Sequence, residues 1–557
     1  MKKAGKMMAT ALALVSVFGS ASALISCGRR ENGEEIDTTK TQLFVSTYAG
    51  GYGADWLYSL KERFETAYAN ESFEEGKTGV QVVVDDGESS GAAIALSANS
   101  NEVIFTESVP YYNWVKSKSL VDISDVVADV IAQEGVDLYS AQKEALTALD
   151  SKYYALPHYE GYYGIVYDKD LFDSASLYFA TNGTLTNASG ERTVGPDGKT
   201  GIIDGVDYTQ DDGLPSTWEE FFTICQYMTQ NDITPFILAG GCADSYSRRL
   251  LDRICAAYMG EEMNTWYSFD GTVDYVSSTT EATGELFGYT MTLEKGQKIT
   301  EENGYLLRQM PGRLVALSVL QGLAEKNYFN TDALGAGNSN LNTQENYINS
   351  NPKNSPVAMM IEGSWWENEA IGAFERSIQN YPSYYPNKKL KDRNFGYMPL
   401  PTKINSADQN EGDSKLSMEY LRAYAFINKS STEDWKIDLA KDFLRFAYSP
   451  ESLEKYTEET GTVRAMQYKI SDTTYNRLST FGQDLWNTHK NNKVIYKLSK
   501  NTLYIDNEID FTDTWGTSVY TSPFTPFRGG MSATTYYTGT LLTQASWDDS
   551  YSSYFNK

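Results

Sequence analysis

The chain has 557 residues, 41% of them hydrophobic, and a formal net charge of −27. That length exceeds what one hydrophobic core organises, so two or more lobes are expected. The charge makes DNA, RNA or an anionic lipid surface a poor partner, and with only two histidines, His158 and His489, a three-histidine zinc site is excluded and a Ser-His-Asp triad has few options.

Residues 1–27 read as a leader: Lys2, Lys3 and Lys6 form a basic start, and residues 7–25 carry no charge. The leader ends in Leu24-Ile25-Ser26-Cys27, which resembles the lipobox of bacterial lipoprotein signal peptides. That resemblance implies cleavage before Cys27 and a diacylglycerol on its sulfur. A plain secretory signal or an uncleaved anchor is the alternative, since the apolar run approaches the length that spans a bilayer. Residues 28–42 are charged and polar and suit a flexible tether. The remaining cysteines are Cys225, Cys242 and Cys255. An odd number without a CxxC pair gives neither a disulfide framework nor a metal motif, leaving one Cys242–Cys255 bridge or buried free thiols.

Residues 43–47 read as a first strand, followed by the loop Tyr48-Ala49-Gly50-Gly51-Tyr52-Gly53. A helix starts at Asp55, with Leu57, Leu60, Phe64 and Ala67 on one face. Strands follow at 80–84 and 102–105, the latter ending in Thr106-Glu107-Ser108. This order predicts a parallel α/β sheet with right-handed crossovers, in which ligands sit beyond the carboxyl ends of the strands. The GGYG loop lacks the spacing of a phosphate cradle, so its glycines are expected to let the backbone pass close to a ligand or a neighbouring loop.

Next comes the Tyr-rich run 153–164 and a strand at 165–167. Residues 174–214 are Gly-, Asn-, Thr- and Asp-rich and read as an insertion whose turns lack the EF-hand spacing. Ser216-Thr217-Trp218-Glu219 reads as a capping box that opens a helix. A strand at 236–239 empties into residues 240–246, a helix runs on from Ser247, and another covers 313–328. The apolar run 357–361 ends in Glu362-Gly363-Ser364-Trp365-Trp366, a buried strand leaving through a tight exit. Strands are expected at 397–401 and 423–427. A second capping box, Ser430 to Glu433, is expected to open a helix with Trp435, Leu439, Phe443 and Phe446 inward.

In this order the GGYG loop, the TES strand end, YALPHYEGYYGIVYDKDLF, LPSTWEEF, VAMMIEGSWWENE and KDFLRFAYSPESLEKY resemble the family 1 extracellular solute-binding proteins of carbohydrate ABC transporters, the group that includes maltose-binding protein. The resemblance implies an α/β fold of two lobes with the ligand cleft between them. Lobe one would be 43–150 plus 418–450, and lobe two 151–417 plus 451–557, with the insertion 174–214. It also implies a monomeric, lipid-anchored component at the cell surface or periplasm. This component would deliver a neutral sugar or oligosaccharide to ABC permease subunits, without catalysis, cofactor, metal or nucleic acid.

The ligand contacts so implied are Tyr48, Gly51 and Tyr52 in the first loop, Thr106, Glu107 and Ser108 at the strand end, and Tyr159 and Glu160. They continue at Gly241, Asp244 and Tyr246, and at Gly363, Ser364 and Trp365. Rings would stack on sugar faces, and Glu107, Glu160 and Asp244 would accept hydrogen bonds from vicinal hydroxyls. Trp365 is assigned to the ligand and Trp366 to packing. A secreted glycoside hydrolase is the rival, with Glu107, Glu160, Asp244 and Glu362 as candidate carboxylates. No hydrolase signature surrounds them, and the eight βα repeats of a barrel are missing.

Overall fold

Nine strands form the two principal sheets of the computed structural model. In chain order they are β1 (Thr41–Thr47), β2 (Val80–Asp85), β3 (Val103–Thr106), β4 (Leu156–Pro157), β5 (Tyr163–Asp168), β6 (Thr234–Ile237), β7 (Val357–Gly363), β8 (Phe395–Met398) and β9 (Tyr424–Ile427). The structure describes residues 35–148, 150–179, 201–203, 206–208, 213–269, 271–281, 286–326, 328–330, 337–414, 416–419, 422–490, 494–496, 515–516 and 522–555. The leader, Cys27 and most of the 174–214 insertion lie outside the described residues.

The first sheet has the order β2-β1-β3-β9-β4 and the second β8-β5-β7-β6. The strands are buried along nearly their whole length because each sheet is covered on both faces. In β3, Val103 and Phe105 enter one core cluster and Ile104 the other; in β5, Ile165 and Tyr167 enter one and Val166 the other. The expected all-parallel sheet is corrected. β1 pairs parallel with β2 and β3, but β9 lies antiparallel between β3 and β4. In the second sheet only β7 and β6 are parallel, while β5 runs antiparallel to β7 and β8. A long chain excursion returns through β9, and antiparallel entry needs no crossover helix.

The division of the chain between lobes also differs from the expected one. β4 completes the first sheet, and the helix Pro450–Thr460 buries Leu453 and Tyr456 in the first lobe's core, Tyr456 edge-on to Trp56 at 5.4 Å. An amphipathic face fits any sheet that lacks a cover, so its periodicity does not say which lobe it joins.

Two caps move as well. Thr217, rather than Ser216, accepts from the Glu220 backbone N–H at 3.2 Å, and the Glu220 carboxylate accepts from both the Ser216 and Thr217 backbone. The run Ser-Thr-Trp-Glu-Glu fits the box in either register, and the later one buries Trp218. At the second site Ser430 donates its N–H to the Asn428 side chain, a single 3-10 turn Asp434–Lys436 precedes the helix Ile437–Ala447, and Trp435 is exposed with its indole N–H on Glu433. Cys225, Cys242 and Cys255 are free thiols. No helix among the described residues is long and apolar enough to cross a membrane.

Trp366 anchors the second lobe. Its fully buried indole meets Phe395, Phe481, Phe374 and Tyr347 at centroid separations of 5.0, 5.5, 5.6 and 5.9 Å. Four rings from four separate chain segments cannot all collapse into the space it fills. We therefore expect Trp366→Ala to destabilise the protein by about 3–5 kcal/mol, read as a lowered midpoint in denaturant titration.

Candidate functional site

Residues that follow the carboxyl ends of β1, β3 and β7 line one cavity of about 390 Å³. The first lobe contributes Tyr48, Gly50, Gly51, Tyr52 and Glu107 to its wall; the second contributes Tyr163, Tyr246, Trp365 and Glu369. Trp365 decides the shape of this wall. Its six-membered ring covers Gly363, where any Cβ would fall inside the indole, and its other edge faces Gly51, where a Cβ would stand 2.5 Å from Cδ1. The glycine of GGYG thus lets a neighbouring loop approach, as its sequence setting suggested. β5 and β7 are antiparallel with Tyr163 opposite Gly363, so the Tyr163 ring stands edge-on to Trp365 at 4.7 Å and to Tyr246 at 5.3 Å.

Below the cavity the lobes meet through hydroxyls. Tyr52 Oη lies 2.8 Å from Ser364 Oγ, and both donate to the backbone carbonyl of Glu160, each at 2.9 Å. The Tyr52 ring stacks on Tyr159 at 3.9 Å, and Tyr159 donates its hydroxyl to Glu107 at 2.8 Å. One tyrosine of the first loop is therefore fixed by ring and hydroxyl together.

Of the expected site residues, Tyr48, Gly51, Tyr52, Glu107, Tyr246 and Trp365 line the cavity. The others support them or stand apart. Glu160 is fully buried, with its carboxylate 3.0 Å from His489 Nδ1, a nitrogen that also meets the Tyr139 hydroxyl at 2.8 Å. Its expected role towards hydroxyls in the cleft is corrected: Glu160 ties the segment joining the lobes to the helix Thr480–His489. Tyr159, Gly363 and Ser364 hold the wall from behind. Thr106 is buried and donates to Ser89, and Ser108 takes a left-handed φ of 55° at the turn after β3. Gly241 donates its N–H to Asn338, and Asp244 accepts from Ser522 at 2.6 Å, facing the C-terminal segment.

Gly50, Tyr163 and Glu369 line the cavity and were not among the expected contacts. Tyr163 needed the antiparallel pairing of β5, which the sequence does not display. Glu369 was legible: it lies four residues after Trp365, and its short helix Trp366–Glu369 turns it to the same side.

Burial dominates the electrostatics. It raises Glu107, against the opposing pull of the Tyr159 hydrogen bond and the Arg249 charge. It also raises Glu369, whose carboxylate is held by Asn340 at 3.2 Å and Gln344 at 2.5 Å. Glu362, just behind, also takes a hydrogen bond from Gln344 and is pushed up to about 8 by burial and then by the Glu369 charge. Burial also pushes Tyr246 and Tyr163 upward, and the Arg249 guanidinium lies over the Tyr163 ring at 5.1 Å. The wall thus combines five aromatic rings with two carboxylates. The hydrolytic pairings that involve Glu160 or Asp244 are not assembled, since both carboxylates are engaged elsewhere.

The profile of the family described as bacterial extracellular solute-binding protein matches residues 50–454. The chain belongs to that family. Solved structures similar to this solute-binding protein include RafE in complex with raffinose, at 15% identity, 92% of this chain, 99% of that chain and a TM-score of 0.52. A chitin oligosaccharide binding protein gives 15% identity, 92% and 98% coverage and a TM-score of 0.52. A structure from a study of xylan utilization by Caldanaerobius polysaccharolyticus gives 12%, 90%, 99% and 0.52. These likenesses establish the two-lobed α/β fold. No curated protein matches the sequence.

The raised Glu362 has a consequence for this solute-binding protein's stability. Between the usual 4.5 and about 8 the folded chain keeps the Glu362 proton and the unfolded chain releases it. The folded state binds more protons in that window, so stability falls as pH rises through it and levels off above. Thermal midpoints measured across the window should decline with pH, and Glu362→Gln should flatten that decline.

Proposed function

We propose that this protein is the substrate-binding component of an ABC importer, capturing a neutral sugar or oligosaccharide by closure of its two lobes and held to the membrane by a lipid on Cys27. The observation that carries this reading is the cavity wall, with five aromatic rings and two carboxylates supplied by both lobes. Ring faces match the apolar face of a pyranose, and carboxylates accept from its hydroxyls. Because both lobes supply the wall, ligand contacts favour the closed arrangement over the open one, as hinge capture requires. Similar folds include proteins whose descriptions name raffinose and chitin oligosaccharide. The anchor reading rests on the lipobox-like Leu24 to Cys27 alone.

Calorimetric titration of the mature protein with a panel of soluble sugars tests the reading, run beside a reducing-sugar assay. Saturable binding without new reducing ends is expected, and turnover of any glycan would restore the hydrolase. Trp365→Ala should weaken binding about tenfold or more and also lower the thermal midpoint, since the indole lines the cavity and at the same time packs in the first lobe's core. Cys27→Ser should move the protein from the membrane fraction to the soluble one; retention on the membrane would refute the lipid anchor.

A further inference from the structure

The cavity wall has more to say about the charge of its ligand than aromatic stacking does. Among the described residues that line it, two are ionisable carboxylates and none is Lys or Arg. Arg249 stands behind Tyr163, and its charge acts on Glu107. Glu369 is held by two side-chain amides, Asn340 and Gln344. Amides solvate a carboxylate without neutralising it, and a charge kept in a desolvated wall is costly until a cation meets it. Its neighbour Glu362 escapes that cost by keeping its proton. Of these two carboxylates only Glu369 lines the cavity, so a charge contact between the second lobe and a ligand falls to it.

The hydrogen-bonding inventory points the same way. The Tyr52 hydroxyl is engaged with Glu160 and Ser364, that of Tyr246 with Glu362, and that of Tyr163 with Arg249. An ionised carboxylate only accepts. Arg249 can only donate, so the Tyr163 hydroxyl accepts from it and retains its own proton, and the Tyr48 hydroxyl also lines the wall; the surplus of acceptors lies in the two carboxylates, which a ligand rich in donors satisfies. A hydroxyl brings one; an ammonium brings three, together with a charge that carboxylates and ring faces both attract.

We propose that the cavity takes a sugar bearing a protonated amine in preference to its uncharged counterpart, with the ammonium held by Glu369 beside the rings of Trp365, Tyr163 and Tyr246. This rests on the sugar-binding reading and replaces its neutral ligand by a cationic one: the ligand's ring lies on the aromatic wall in either case, and the amine adds a charge contact. The net charge of −27 acts in the same direction by enriching cations around the protein.

Matched pairs that differ only at one carbon test this: glucose against glucosamine, galactose against galactosamine, and β-1,4 glucose trimer against its fully deacetylated amino counterpart. Each pair is titrated by calorimetry at about pH 6 and again at about pH 9, above the usual range of an amine flanked by electron-withdrawing groups. At the lower pH the amine member of the binding pair should be favoured about tenfold or more. That ratio should collapse at the higher pH, and at the lower pH in Glu369→Gln, whatever this substitution does to the uncharged sugar. The pH arm needs no variant and stands if Glu369→Gln fails to fold. An uncharged member that binds as well as its amine, or a ratio indifferent to pH, overturns the charge preference and leaves the sugar reading in place. If no sugar of either kind binds in these pairs or in the wider panel, the sugar reading itself falls and takes the preference with it.

Discussion

The indole of Trp365 lies across the cleft because two residues on opposite lobes have no Cβ. Gly363 gives up its own side-chain position to the ring, and Gly51 lets the first loop come down on the ring's other edge. Any larger residue at either place would push the ring or the loop away. The arrangement of the site follows from that seat. Tyr163 stands edge-on to the ring because β5 runs opposite Gly363, Tyr52 reaches Ser364 because Ser364 leads into Trp365, and Glu369 follows one helical turn later. Backbone close approach at two points thus sets where both lobes can meet.

The polar groups around this seat are divided by what surrounds them. Glu160 lies in a fully buried contact with His489, where it fastens the joining segment to the helix Thr480–His489. Glu362 is buried and kept neutral through most of the ordinary pH range. Glu107 and Glu369 keep access to the cavity. Carboxylates that look equivalent in a sequence therefore serve three purposes: one fastens, one stays protonated, and two face the ligand space.

Much of this was readable before any coordinates, and the parts that were not share a cause. A strand ending in glycine before two tryptophans assigned one ring to the ligand and one to packing; the structure has Trp366 fully buried, and Trp365 on the cavity wall yet also buried in the first lobe's core cluster. Loop glycines flanked by tyrosines after β1 marked the facing wall. What stayed hidden depends on pairing across the chain: Tyr163 needed the antiparallel register of β5, and the helix Pro450–Thr460 needed its partner lobe. Burial deceived at Glu160, because a carboxylate in a Tyr- and Gly-rich run looks exposed until its histidine, more than three hundred positions on, is brought beside it. Trp435 shows the converse, an aromatic at a helix start that the 3-10 entry turns outward.

The hydroxyl cluster of Tyr52, Ser364 and the Glu160 carbonyl joins the lobes through protein groups alone. On the proposed closure of the lobes, its contribution to the open–closed balance would be the same whichever molecule occupies the cleft. A change at Ser364, which does not line the cavity, would multiply every ligand's apparent affinity by one shared factor and leave the ratios between ligands untouched. Ratios belong instead to the wall of Trp365, Tyr163, Tyr246, Glu107 and Glu369. How tightly the protein holds its cargo and which cargo it holds can then drift separately, one through the Ser364 hydroxyl and the other through a ring or a carboxylate.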